Sequence, residues 1–111
     1  MSELLKEEIE VNWPEQKVQR LASGDKLDQS REVVYYAYFK GAVKAARAQV
    51  DLEDIGFKTE AEGGFFKPTM VAAKKEHDLK DETVARVLTE VIGVVEKLGG
   101  EFDGFVAVVV D

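Results

Sequence analysis

The 111-residue chain contains no cysteine, which excludes disulfides, thiolate metal sites and a cysteine nucleophile together. It has one histidine, His77, set between Glu76 and Asp78. Imidazole and carboxylate are metal ligands, but successive strand residues point to opposite faces and no second histidine completes a set. His77 therefore reads as a polar strand end. Long apolar runs are missing as well: nothing approaches the roughly 18 residues of a membrane-spanning helix. The opening Met1–Glu8 is acidic and has no apolar heart, unlike a secretory signal, so the reading is cytoplasmic. Ser2, Ser23 and Ser30 lie outside any Gly-x-Ser-x-Gly setting, and no G-x-G-x-x-G or P-loop occurs. The expectation is a protein that is not an enzyme and takes no cofactor.

Basic residues are the minority. Lys and Arg number 15 against 22 Asp and Glu, for a formal net charge of -7. Binding to phosphates draws on Lys and Arg displacing counterions, and these cluster only loosely, at Lys40, Lys44 and Arg47 and at Lys74 and Lys75. Tyr35, Tyr36 and Tyr38 have the chemistry of base-stacking platforms, yet the RNA-recognition octapeptide is absent. The charge favours a basic protein partner over direct contact with nucleic acid.

With 45% hydrophobic residues the chain can build one core. A single domain over 1–111 is expected, with a helical extension over 1–24 and a core from 29 onward. Residues 3–11 are amphipathic at best. Asn12 resembles an N-cap, with Pro14 in the first turn, Glu15 three residues on, and Trp13, Val18, Leu21 and Ala22 as the buried stripe. Gly24 ends this helix. Residues 31–39 are β-branched and aromatic, hence a strand. A helix over 41–52 would bury Ala42, Val43, Ala46 and Val50. Residues 57–62 alternate as a half-buried strand does. Gly63-Gly64 signals a turn, and Met70–Glu76 supplies the third strand. Asp78 or Asp81 can cap a second long helix, whose Val84, Val87, Leu88, Val91, Ile92, Val95 and Leu98 follow helical spacing. Gly99-Gly100 stops it, and 102–110 form the last strand. The order β-α-β-β-α-β predicts an α+β, ferredoxin-like fold: four antiparallel strands with two helices on one face.

The first and last strands are apolar on both sides, which predicts burial of both. The second sheet face then needs a cover: the N-terminal helix folding back, a second copy of the chain forming a homodimer, or a partner protein. The last strand also offers an edge for strand addition.

Four local features resemble one family. Arg31-Glu32-Val33 opens an aromatic strand ending Tyr38-Phe39, and Gly56-Phe57 starts the second strand after a helix. Gly99-Gly100-Glu101-Phe102-Asp103-Gly104-Phe105 enters the last strand, and an acidic helical region precedes all of this. The chain is similar over about residues 28–110 to the bacterial regulators of ribonuclease E activity, type B, whose signature near the C-terminus is usually Tyr-Asp-Gly-Trp. Here both aromatics are phenylalanine, and no long acidic linker separates the second and third strands. The resemblance implies the same ferredoxin-like fold and a protein that binds ribonuclease E and reduces its cleavage of RNA. Glu53, Asp54, Glu60 and Glu62 form the acidic surface expected to meet a basic, Arg-rich segment of that partner. Asp103 and Phe105 are candidate contacts too, beside a structural reading in which Gly104 allows a bulge and the aromatics close the core. Two alternatives share the fold: an interaction module unrelated to RNA processing, and a small-ligand domain using the groove beside Gly63-Gly64 or a dimer interface.

Overall fold

The computed structural model describes residues 1–64 and 67–111. The chain opens on a long helical arm in which α1 (Glu3–Glu7), a π-helical turn (Glu8–Asn12) and α2 (Trp13–Ala22) follow without a break. Then come β1 (Arg31–Phe39), α3 (Ala42–Asp54), β2 (Lys58–Gly64), β3 (Lys67–His77), α4 (Asp81–Lys97) and β4 (Glu101–Ala107). The strands form one sheet in the order β2-β3-β1-β4, each neighbouring pair antiparallel. Each crossing, β1-α3-β2 and β3-α4-β4, therefore skips over one strand, which is the ferredoxin-like arrangement expected.

The inner face of the sheet carries the core. Val33, Tyr35, Ala37 and Phe39 of β1 point inward, in register with Ala73 and Val71 of β3 and with Phe105 and Phe102 of β4. Against them α4 sets Val84, Val87, Leu88, Val91, Ile92 and Val95, all buried as their spacing predicts. Burying side chains of this size contributes about 1.5–3 kcal/mol each. Lys80 is the N-cap residue of α4, and neither aspartate caps that helix through its side chain. Asp78 instead accepts the Lys80 amide at 3.0 Å, while Asp81 faces the arm.

Three helical readings need correction. Ser2, not Asn12, caps the arm, its hydroxyl accepting the Leu5 amide at 3.1 Å. Asn12 lies inside the helix and donates to Glu8 at 2.8 Å. The π turn ends just before Pro14, whose ring crowds the carbonyl four residues back, and its wider winding suits that ring while keeping Leu5, Ile9 and Trp13 in line. Second, of the stripe expected on α2 only Trp13 is buried; Val18 and Leu21 are 68% and 54% exposed, and Ala22 is exposed. Trp13 packs against Phe105 in a tilted arrangement, ring centres 6.2 Å apart, and donates its indole N–H to Asp81 at 2.9 Å. That one anchor, with Arg20 at the far end, turns the aliphatic stripe outward. Third, α3 buries Ala45, Ala48 and Leu52, leaving Val43 and Val50 exposed. An alanine-rich helix has small residues on several faces, so its periodicity names no unique inner one.

The arm packs beside α4 on the inner side of the sheet, so it does not cover the second face. Burial of the last strand on both sides is likewise overturned: Val106 is 54% exposed and Val108 70%. The strand ends at Ala107, and the segment after it is held instead by a buried ionic clasp. Asp25 accepts from Arg31 at 2.6 Å, from Arg20 at 3.0 Å and from the Val110 amide at 3.3 Å. Arg31 also donates to the Val108 carbonyl at 3.0 Å and Arg20 to that of Ala107 at 3.0 Å. The clasp ties the end of the arm, the start of β1 and the chain after β4 into one knot. Finally, β2 runs through Gly64, so the Gly63-Gly64 turn signal marks a strand end. The connection over 65–66 lies outside the described residues.

Candidate protein-interaction surface

Register decides which side chains share the outer sheet face. Glu32, Val34, Tyr36 and Tyr38 of β1 stand opposite Glu76, Lys74, Ala72 and Met70 of β3. Lys58, Glu60 and Glu62 of β2 stand opposite Lys74, Ala72 and Met70 in turn. On the other flank Glu101 pairs with Tyr38 and Val106 with Val34. The face thus carries five carboxylates against two lysines on these paired positions, around a middle of Val34, Tyr36, Tyr38, Met70 and Ala72.

The charges are not spread evenly. Around Val34, Lys58 and Lys74 face each other and Glu32 faces Glu76, giving a mixed end. Around the tyrosines the walls are acidic: one row across the sheet reads Glu101, Tyr38, Met70, Glu62, and the next has Tyr36, Ala72 and Glu60. Glu60 lies 3.8 Å from Lys74. Among the described residues Glu62, Glu101 and Asp103 have no cation within ion-pair distance.

The Phe-Asp-Gly-Phe stretch shapes the second row. Residues three apart on a regular strand point to opposite faces. Here Phe102 pairs with Ala37 and Phe105 with Tyr35, so β4 spends three steps where β1 spends two. This bulge turns both rings inward, and Gly104 allows it by adopting φ +95°. Phe105 packs on Tyr35 at 5.2 Å and on Trp13. Asp103, inside the bulge, is exposed and borders a hollow against the π turn. Gly100 has a different reason: a Cβ there would meet the Phe39 ring at 2.5 Å.

The six residues singled out from sequence therefore separate. Glu60 and Glu62 share the open face, and Asp103 is exposed at the β4 bulge, against the hollow beside the arm. Glu53 and Asp54 are exposed at the end of α3, on the helix side of β2, where Glu53 accepts from Thr59 at 2.5 Å. Phe105 is half-buried and belongs to the core contacts. Glu101 went unnoticed, although its place one residue before an inward aromatic was the available signal. The groove proposed beside Gly63-Gly64 adjoins residues outside the description. Among the described residues, one open hollow of about 370 Å³ lies between the π turn and the bulge, lined in part by Glu8, Trp13 and Asp103.

His77 is buried at the end of β3. Its Nδ1 lies 2.6 Å from the Asp78 carbonyl, which can only accept, so Nδ1 carries the proton and Nε2 accepts from the Tyr35 hydroxyl at 2.9 Å. Burial lowers the His77 pKa, and burial together with the nearby Glu90 charge raises that of Tyr35. The pair is a satisfied element of the core. Among the described residues no three His, Asp or Glu side chains gather as a metal site would require, and no helix is long and apolar enough to cross a membrane.

No curated protein matches the chain. A family model does, over residues 3–106, which takes in the arm, β1 to β3, β4 as far as Val106 and the Phe-Asp-Gly-Phe bulge. The chain accordingly belongs to the family described as regulator of ribonuclease activity B.

Proposed function

We propose that this protein is a cytoplasmic, non-catalytic regulator that binds a ribonuclease E-like ribonuclease and lowers its cleavage of RNA. The family match over residues 3–106 carries this reading. The surface chemistry supports it: Glu53, Asp54, Glu60 and Glu62 are all exposed along the β2 side of the molecule, and the chain's net charge of -7 favours a basic protein segment over RNA itself. Binding by such a surface raises the association rate and weakens as salt rises.

The test is cleavage of a labelled RNA by purified ribonuclease E with increasing amounts of this protein, alongside direct binding at low and high salt. Inhibition that follows a binding curve, and that weakens with salt, is the expected outcome. The variant with Glu53→Gln, Asp54→Asn, Glu60→Gln and Glu62→Gln should bind more weakly and lose most of the salt dependence. Unchanged cleavage at saturating protein would retire the ribonuclease reading, and a variant that binds as the parent does would retire the electrostatic mechanism.

A further inference from the structure

We infer that the tyrosine end of the open sheet face is an arginine-selective docking site for an extended polypeptide with arginines at alternate positions. The inference rests on the reading that the protein binds a basic segment of a partner, and it names which cation, in which spacing, and where.

Two tyrosine–carboxylate pairs lie side by side there. Tyr38 stands directly across from Glu101, and Tyr36 lies level with Glu60 across Ala72. Neighbouring strands are about 4.8 Å apart, so each ring has a carboxylate one or two strands away. A guanidinium is planar and weakly hydrated, and it stacks on an aromatic face while its N–H edge reaches a carboxylate. An ammonium pairs with the carboxylate equally well but stays more tightly hydrated and presents no plane to stack. Both rings are half-buried and stand opposite Ala72 and Met70 on the neighbouring strand.

The spacing selects the ligand's conformation. Tyr36 and Tyr38 are two residues apart on one strand, about 6.6 Å along it. An extended chain repeats its side-chain direction at the same interval, so an Arg-x-Arg segment lying along β1 meets both pairs in register. Glu60 and Glu62 wall the far side at the same two levels.

Other occupants fit less well. Phosphates would meet five carboxylates and two lysines. A second copy stacked face to face would bring acidic walls together. A purely apolar helix would bury Glu60, Glu62 and Glu101 without partners.

The experiment compares a fluorescent peptide of alternating Arg and Gly with its Lys–Gly twin of equal length and charge, using the whole protein. The arginine peptide should bind about fivefold or more tightly than the lysine peptide, two stacked guanidiniums being the source of the difference. In Tyr36→Leu/Tyr38→Leu that ratio should fall close to one, while Glu62→Gln/Glu101→Gln should weaken both peptides and leave the ratio. Equal affinities for the two peptides in the parent protein overturn the inference, as does a leucine variant that keeps the preference. If the leucine variant does not fold, labelled tyrosine rings in the parent decide: two of the three resonances moving with the arginine peptide support the site, and none moving overturns it. Tighter binding of single-stranded RNA than of the arginine peptide would overturn it, and so would self-association that shields both rings. A ribonuclease inhibited equally by the leucine variant sinks this inference and leaves the regulator reading standing. Arginine selectivity with no effect on the ribonuclease does the reverse.

Discussion

Replacing Asp25 by Asn keeps the shape of the buried clasp and removes its only negative charge. The carboxylate is sealed from solvent, just beneath the surface, and the side chains of Arg31 and Arg20 that contact it are 2% and 10% exposed. Asparagine leaves two guanidiniums facing each other with one neutral acceptor between them. Breaking a buried ionic cluster by removing one partner costs about 3–5 kcal/mol. Against a total of about 5–15 kcal/mol for a domain of this kind, that is a large fraction. At about 4 °C per kcal/mol, the midpoint of thermal unfolding should fall by about 12–20 °C. The pH dependence supplies an independent check. Burial pushes the Asp25 pKa up, but hydrogen bonds from Arg31, Arg20 and the Val110 amide, with the Arg31 charge, outweigh it and hold the group below its ordinary value of 3.8. A lowered folded pKa means the unfolded chain takes up the proton first, so the contribution is complete above the ordinary carboxylate range and is lost as pH falls through the folded value. Circular dichroism melts between pH 7 and 3 should therefore show parent and Asp25→Asn converging toward the acid end. Stability within about 1 kcal/mol of the parent at pH 7 would refute the reasoning. So would a gap between the two proteins that stays constant with pH. Replacing the triad together, as Arg20→Met/Asp25→Leu/Arg31→Met, should recover much of the loss, because no charge then remains unpaired.

Two further outcomes test the core and the bulge. Tyr35→Phe removes the donor to His77 Nε2 and leaves a buried acceptor unpaired, which should cost about 1–3 kcal/mol in urea unfolding. Because His77 is held neutral by burial, its unfolded form protonates first, so stability should decline in both proteins as pH drops from about 6.5 toward the lower folded value. Gly104→Val should lose about 1–3 kcal/mol, with Gly104→Asn losing less. No atom lies within 4 Å of a Cβ placed there, so the cost is one of backbone conformation alone, and an unchanged denaturation midpoint for the valine variant would contradict it.

The elements easiest to read in advance were those whose packing has one solution. β1 spans Arg31–Phe39 as its β-branched and aromatic run predicted. In α4 the large apolar residues recur on a single stripe, and that stripe is the buried one. The βαββαβ order left few permitted sheet topologies, and the observed one is among them. α3 and the arm behaved otherwise because their local patterns are degenerate. Alanines line several sides of α3, and α2 offers an aliphatic stripe on one face and Trp13 with Arg20 on the other. Which face turns inward depends on what waits there: Phe105 and Asp81 for the indole, Asp25 for the guanidinium. Phe105 and Asp81 lie about 90 and 68 positions from Trp13, and Asp25 lies past the end of the helix, so no periodicity within α2 reports them.

The candidate surface divides along the same line. Charge balance, the lack of a nucleophile or cofactor motif, and the Phe-Asp-Gly-Phe signature can be read from residues alone, since each is a property of composition or of a short local string. That Glu60, Glu62 and Glu101 share a face while Glu53 and Asp54 lie round the β2 edge follows only from register. A single-residue bulge at Gly104 reassigns every side chain beyond it. The sequence by itself determined the elements and the chemistry available to them, because propensity and spacing act over a few residues. The tertiary structure decided that the arm joins the helix layer and that the tyrosine face stays open. That choice lies between surfaces similar in local pattern and is settled by contacts across the whole fold.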